Sequence, residues 1–327
     1  MHDSYSARVQ QNGGLTGVSP RRMLAIMTSA PSTTASAGLS PTGQLERNGF
    51  VRFTDVLDPV TVDTLFLRAH ATLLREKETA REAVKSNGSL IHLSDNPEYA
   101  DVIGSPKIAG LLREVGATDP RWTGGFLISK PAGGPPLFWH QDWWGWTEPE
   151  SYDVRAHQLF VMIYLTDTTP ENGCLRVIPG THLRDHPLHH LEAAHSEGLQ
   201  GFTNPDAADY AAHPDEVAVP VKAGDVLIGD SRLIHGAYAN RSGEERPLLT
   251  LWYMPHWGGM SAGMRARAME NYLRRDDIRT SAARPLTPLD WTPVLRQRVE
   301  AVLPTYEDSE PPVPWHRTPD TSRLVPA

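Results

Sequence analysis

Residues 217–237, Val217-Ala-Val-Pro-Val-Lys-Ala-Gly-Asp-Val-Leu-Ile-Gly-Asp-Ser-Arg-Leu-Ile-His-Gly-Ala237, read as β structure broken by a tight turn. Val217, Val219 and Val221 alternate with other residues, the period of a half-buried strand. Ala223-Gly-Asp225 carries the turn chemistry, and Val226 to Ala237 follows as a second extended segment. Outward from here the same grammar runs from Trp122 to Pro255. Gly125 to Lys130 ends at Pro-Ala-Gly-Gly-Pro-Pro; Leu137 to Asp142, Gln158 to Leu165 and Gly173 to Ile178 follow, the last closed by Pro179-Gly180. Asn240 to Glu245 turns the chain once more into Pro247 to Met254. Many short strands at this spacing imply a sandwich or jelly roll rather than a βαβ sheet.

The flanks differ in character. Gly49 to Phe53 reads as a short strand. Asp58-Pro59 then supplies an N-cap with proline at the first helical position, and Val62, Leu65, Phe66, Ala69 and Leu73 give an apolar face running towards Ala83. A second helix is expected over Pro106 to Val115, and residues 261–279 also read as helical, before a proline-rich, irregular tail from Pro304. The expected organisation is an unstructured lead-in over 1–42 and one domain over 43–260, with a helical part 43–120 and a β core 121–257. A C-terminal helix and tail complete it over 261–327.

The chain has 327 residues, with 31 Lys and Arg against 39 Asp and Glu, a net charge of −8. No basic block offers the phosphate neutralisation on which nucleic-acid affinity rests, or a lever on an anionic membrane. No apolar run reaches the ~18 residues of a membrane span. The single cysteine, Cys174, excludes an intramolecular disulfide or a thiolate cage and fits a reducing, cytoplasmic setting. Arg21-Arg22 before Met23 to Met27 resembles an export signal, but five apolar residues fall short of the ~7–15 such a signal needs.

Chemistry concentrates at His140-Gln141-Asp142. On a strand, positions i and i+2 share a face, so an imidazole and a carboxylate project together. His235, late in the segment after the Gly-Asp turn, supplies a second imidazole. Two histidines and one carboxylate on one face of a metal make the facial triad of non-haem Fe(II) oxygenases, with open positions for a 2-oxo acid and O2. Arg246 lies eleven residues beyond His235, across the turn 240–245. If the flanking segments pair as neighbouring strands, Arg246 returns beside the end that carries His235. Its guanidinium would then take the distal carboxylate of 2-oxoglutarate as a bidentate pair.

These residues fall in longer motifs: Gly125-Phe-Leu-Ile-Ser-Lys-Pro131, Trp139-His-Gln-Asp142, Asn172-Gly-Cys-Leu-Arg-Val-Ile-Pro-Gly-Thr-His182 and His235-Gly-Ala-Tyr-Ala-Asn-Arg-Ser-Gly-Glu-Glu-Arg246. In these the chain, over about Leu45 to Met254, resembles the phytanoyl-CoA dioxygenase family of Fe(II)/2-oxoglutarate oxygenases. The resemblance implies a mainly β fold with flanking helices, a double-stranded β-helix (jelly roll, cupin-like). It implies His140, Asp142 and His235 as iron ligands, Arg246 as co-substrate anchor, and Gln141, Phe126 and Met162 lining the 2-oxoglutarate site. His92 aligns near a co-substrate-contacting lysine of the family. Halogenase relatives replace the ligand carboxylate by a small residue; Asp142 is intact, so the implied reaction is hydroxylation or related C–H oxidation of a small organic molecule, with release of succinate and CO2.

Trp143, Trp144 and Trp146 follow the ligands directly, and Trp143 and Trp144 are expected as substrate-pocket walls together with Trp252. Trp252 and Tyr253 are neighbours on a strand, so only one should face inward. His182, His186, His189, His190 and His195 crowd one stretch, read as a solvated insertion rather than a second metal site, and Cys174 as a small buried residue. Two other classes remain compatible: a metal-dependent cupin-like isomerase or lyase, which needs no Arg246, and a non-catalytic β-sandwich binding protein, which needs none of these residues.

Overall fold

Apolar residues spaced two apart build the two antiparallel sheets that the computed structural model contains; it describes residues 38–191, 194–273, 292–305 and 310–326. Most of the lead-in expected over 1–42 lies outside these residues, as do 274–279 at the end of the expected C-terminal helix. The larger sheet has the order β1-β8-β5-β10-β3-β2, formed by β1 (Phe50–Phe53), β2 (Ile91–His92), β3 (Arg121–Lys130), β5 (Leu159–Tyr164), β8 (Val226–Asp230) and β10 (Arg246–Met254). The smaller has the order β4-β9-β6-β7, from β4 (Leu137–His140), β6 (Leu175–Val177), β7 (Val217–Val219) and β9 (His235–Ala237). All these pairings are antiparallel, the jelly-roll arrangement expected from the sequence.

The central strands show how a period of two makes both layers. β5, Leu-Phe-Val-Met-Ile-Tyr, is buried along its whole length between β8 and β10. Leu159, Val161 and Ile163 join a core with Leu65, Ala69 and Leu73 of the helix Pro59–Leu73 and with Ile108 and Leu112 of the helix Pro106–Glu114. Phe160, Met162 and Tyr164 face the other way, into the space between the sheets with Leu175, Val177 and Leu248. β10 divides likewise: Leu249, Leu251 and Tyr253 pack toward the helices, Leu248 and Trp252 toward the interior. Full burial of one such side chain contributes about 1.5–3 kcal/mol.

Three expectations need correction. The helix from Pro59 ends at Leu73 rather than near Ala83, because the apolar stripe gives way to Arg75-Glu-Lys-Glu78; Glu78–Ala83 is a separate short helix. Val226 to Ala237 is two strands in different sheets. The corner between them is held by a buried ion pair, in which Arg232 donates to Asp230 through Nε (3.0 Å) and Nη2 (2.6 Å) and to the carbonyls of Ser151, Asp153 and Arg155. Burial alone would raise the Asp230 carboxyl, but the guanidinium holds it below its ordinary range. Thirdly, β9 and β10 do not pair. Asn240 in the connection donates to the carbonyls of Lys130, Pro131 and Glu244, turning the chain from one sheet to the other. Among the described residues no helix is long and apolar enough to cross a membrane.

Candidate active site

β4 and β9 deliver the two histidines by adjacency. His140 and His235 are register partners at the end of the smaller sheet, their ring centroids 4.2 Å apart. The strand stops at His140, but the backbone N–H of Asp142 donates to the carbonyl of Ser231 at 2.8 Å, so the carboxylate stays on the histidine face. Asp142 Oδ1 stands 3.6 Å from His140 Nε2 and Oδ2 3.9 Å from His235 Nε2. Trp252 Nε1 donates to Asp142 Oδ2 at 2.9 Å and orients it.

The imidazoles are prepared in the same way. His140 Nδ1 lies 3.0 Å from the Phe138 carbonyl and His235 Nδ1 3.0 Å from the Leu233 carbonyl. A carbonyl only accepts, so each Nδ1 carries the proton and each Nε2 presents a lone pair toward Asp142. Burial, then the neighbouring His235 and His195, hold His140 well below the usual imidazole range, which keeps it neutral. Both Asp142–His spans fall below twice the ~2.1 Å of a metal–ligand bond. Two lone pairs and a carboxylate around one point fit a divalent metal.

A fourth group complicates the triangle. The ligand atoms of His140, Asp142 and His195 lie within 4.8 Å of one another. His195 sits on irregular backbone with φ +64°, and its Nε2 is 3.4 Å from the Gln141 carbonyl. That contact engages Nε2, and the backbone is not held by a sheet. His235 has strand support and a fixed tautomer, which makes it the stronger third donor.

The sheets enclose a cavity of about 600 Å3, and His140, Asp142, His235 and Arg246 all line it. Arg246 opens β10 opposite Lys130, the last residue of β3. It is buried, its Nε has no hydrogen-bond partner, and among the described residues no carboxylate lies within ion-pair distance. Lys130 donates to the carbonyls of Ser86 and Pro135; burial, then Arg246 and Arg176, push its ammonium well below the usual range. A buried guanidinium without a counter-ion calls for an anionic ligand. Phe126, Met162, Tyr164 and His92 also line the cavity; Phe126 packs edge-on to Trp252 at 5.6 Å.

Other expected site residues are placed differently. Gln141 does not line the cavity; as the residue between His140 and Asp142 it points to the opposite side. There its Oε1 accepts from Trp146 Nε1 at 2.8 Å and its Nε2 donates to the Arg317 carbonyl. Trp143 is fully buried packing, with Nε1 on Ser151 Oγ at 2.9 Å; Trp144 stacks on it and lines the cavity. Trp252 faces inward, while Tyr253 points to the helices and donates to the Ile103 carbonyl at 2.7 Å. Cys174 is buried, and burial pushes its thiol up to about 12.

The histidine-rich stretch is not a solvated insertion. His182, His186 and His189 are buried, and only His190 of that group is mainly exposed. His186, His213 and Asp215 approach as a second potential metal cluster. However, His186 Nδ1 accepts from Leu188 N and His213 Nδ1 from Asp215 N, which leaves His186 Nε2 protonated and occupies the His213 atom nearest Asp215. These rings cap turns.

Arg317 and Trp315 reach the cavity from the C-terminal segment, and no motif or periodicity in the sequence marks either. Trp315 stacks on Trp144 with centroids 5.7 Å apart, and the Arg317 guanidinium lies over the Trp315 ring.

Phytanoyl-CoA dioxygenase domain-containing protein 1 of Mus musculus is 28% identical over 53% of this chain and 58% of its own length. A probable alpha-ketoglutarate-dependent hypophosphite dioxygenase of Stutzerimonas stutzeri is 30% identical over 52% of this chain and 60% of its own. The matches therefore span about three fifths of these relatives. Among solved structures, the non-heme alpha ketoglutarate dependent carbocyclase SnoK from nogalamycin biosynthesis superposes with a TM-score of 0.51 at 24% identity, over 69% of this chain and 87% of that one, which agrees with the fold. The family described as phytanoyl-CoA dioxygenase (PhyH) matches residues 45–248, more than half of the sequence, and the chain belongs to that family.

Proposed function

We propose that this protein is an Fe(II)- and 2-oxoglutarate-dependent dioxygenase that oxidises a C–H bond of a small organic molecule, releasing succinate and CO2. The observation that carries the reading is the pairing of two features in one cavity. Two histidines with backbone-fixed tautomers flank a carboxylate, and a buried guanidinium with no counter-ion among the described residues lines the same cavity. A cupin-like isomerase would use the first but has no need of the second; a binding protein would need neither. Family membership and the names of the relatives point the same way.

In this reading His140, Asp142 and His235 hold iron, and Arg246 with Lys130 nearby receives the distal carboxylate of 2-oxoglutarate. When bound, the iron supplies O2 activation coupled to decarboxylation of the 2-oxo acid. The chain's own part is to bind, orient and exclude. Trp252 fixes the carboxylate of Asp142, the Phe138 and Leu233 carbonyls fix the imidazoles, and Phe126, Met162 and Tyr164 exclude water from the co-substrate arm. Nothing in the cavity calls for a coenzyme A ester, and a secondary metabolite fits the reading equally well. The test is succinate formation from 2-oxoglutarate with added Fe(II). Wild type should produce it, His235→Ala should not, and absence of succinate from fully metallated wild type under a metabolite extract would contradict the reading.

A further inference from the structure

We propose that Arg317 recognises a carboxylate on the organic substrate, so that the substrate class is an anionic, largely apolar molecule. This rests on the oxygenase reading of the cavity and deepens it.

The first observation is placement. Arg317 belongs to the segment 310–326, outside the residues 45–248 that the family match covers. That segment is fastened along its length: His316 N donates to the Trp144 carbonyl at 2.8 Å, Gln141 Nε2 to the Arg317 carbonyl, and Asp320 N to Tyr152 Oη at 2.8 Å. Asp185 N and Val325 N then exchange hydrogen bonds with the carbonyls of Val325 and Leu183, at 2.8 and 2.9 Å. An arginine on a segment fastened at this many points starts from a positioned backbone, and its guanidinium is tied to the Gln141 carbonyl as well.

The second observation is charge. Arg317 is partly buried on the cavity wall, and its Nη1 donates to the Gln141 carbonyl at 3.2 Å. Among the described residues no carboxylate comes within ion-pair distance of it. Asp142 is the acidic group that acts on it electrostatically, and Asp142 is committed to the metal. Glu270, also on the wall, is already paired with Arg267. The formal charges of the loaded site then leave Arg317 over. Bound iron would be balanced by Asp142 and one carboxylate of 2-oxoglutarate, and Arg246 by the other. A desolvated cation in that position selects for an anion.

The third observation is the surrounding surface. Trp144, Trp252, Trp315 and Met254 line the cavity that Arg317 also lines, and Trp315 is 45% exposed. Aromatic faces give contact area with little loss of conformational freedom and suit an apolar or aromatic body behind the carboxylate. A site built this way rejects the uncharged analogue more strongly than a purely apolar pocket could.

The experiment uses the full-length protein with Fe(II) and 2-oxoglutarate, anaerobically. The metal-to-2-oxoglutarate absorption band is followed while 4-phenylbutyrate or its primary amide is added to wild type, Arg317→Lys and Arg317→Gln. In wild type the carboxylate should bind at least about ten-fold more tightly than the amide. Arg317→Lys should keep part of that preference and Arg317→Gln none, with 2-oxoglutarate affinity within about two-fold throughout. Circular dichroism melting of each variant checks the fold, and the wild-type comparison stands without any variant. Equal binding of acid and amide by wild type, binding of neither, or an acid preference that survives in Arg317→Gln would overturn the proposal. Parallel loss of 2-oxoglutarate affinity in Arg317→Gln would assign the arginine to the co-substrate and overturn it too. No absorption band in wild type would instead mark failure of the oxygenase reading.

Discussion

The cavity has two kinds of wall. Its floor is made of strands: His140 on β4, His235 on β9, and Arg246, Thr250 and Trp252 on β10, each fixed by ladder hydrogen bonds and a neighbour of known register. Another wall is made of the segment 310–326, which contributes Trp315 and Arg317 through contacts with the loop 141–152 rather than through a sheet. Interior alternation on a strand specifies which side chains face the cavity to within one residue. A segment pinned by individual backbone bonds has no such code, and it can change between relatives while the floor stays the same. In the proposed reading, reaction type belongs to the floor and substrate choice to the segment 310–326.

The largest expected effect lies on the floor. His140→Ala, Asp142→Ala or His235→Ala each removes a donor from a minimal set, and turnover should fall by roughly a thousand-fold or more, as metal-site losses do, with Fe(II) affinity lost by calorimetry. His195→Ala is the control that sharpens this: it should keep most of the iron affinity, and if it loses as much as His235→Ala, His195 is the third donor. Next comes Gly229→Ala. A Cβ there would stand 2.1 Å from the Phe160 ring, which itself packs 5.0 Å from His235. Overpacking should lower stability by about 1–3 kcal/mol in urea unfolding. An unchanged midpoint would mean that Phe160 has room to move.

Smaller effects separate the walls. Trp252→Phe keeps the ring but deletes the donor to Asp142 Oδ2, and iron affinity should drop by about ten-fold. The smallest effect at the metal belongs to Gln141→Leu. Its amide links the loop to the Arg317 carbonyl, so the C-terminal segment should become more sensitive to limited proteolysis. Fe(II) and 2-oxoglutarate affinities should stay within about two-fold, because the side chain faces away from the cavity. A large loss of 2-oxoglutarate binding would instead restore Gln141 to the co-substrate site.

Legibility in the sequence follows the same division. The alternation Val217, Val219, Val221 and the apolar run Leu159 to Tyr164 announced strands, and His140-x-Asp142 announced a shared face, because a period of two is a local property. Trp252 rather than Tyr253 facing inward was open at the sequence level for want of a register anchor, which pairing with Phe160 and Gly124 supplies. Arg246 was singled out, but by an argument that pairs two strands the structure keeps in separate sheets. The corner at Asn240 depends on side-chain bonds to Lys130 and Pro131, distant in sequence. Gln141 was misplaced for the plainest reason: the residue between two ligands on an extended chain points away from them. His195 was read only as part of a solvated insertion, and Lys130 and Arg317 were not singled out, because each reaches the cavity through tertiary contacts that leave no periodic trace.

The central claim, that Arg246 and the His140–Asp142–His235 cluster form one site for iron and 2-oxoglutarate, is tested most directly by the 2-oxoglutarate dissociation constant. It is measured anaerobically from the metal-to-ligand absorption band in wild type, Arg246→Lys and Arg246→Ala. The expected order is wild type tightest, then Lys, which keeps the charge but loses the fork, then Ala, weaker than wild type by about two orders of magnitude. Fe(II) affinity should be unchanged across the three. Arg246→Ala binding 2-oxoglutarate as tightly as wild type would contradict the account.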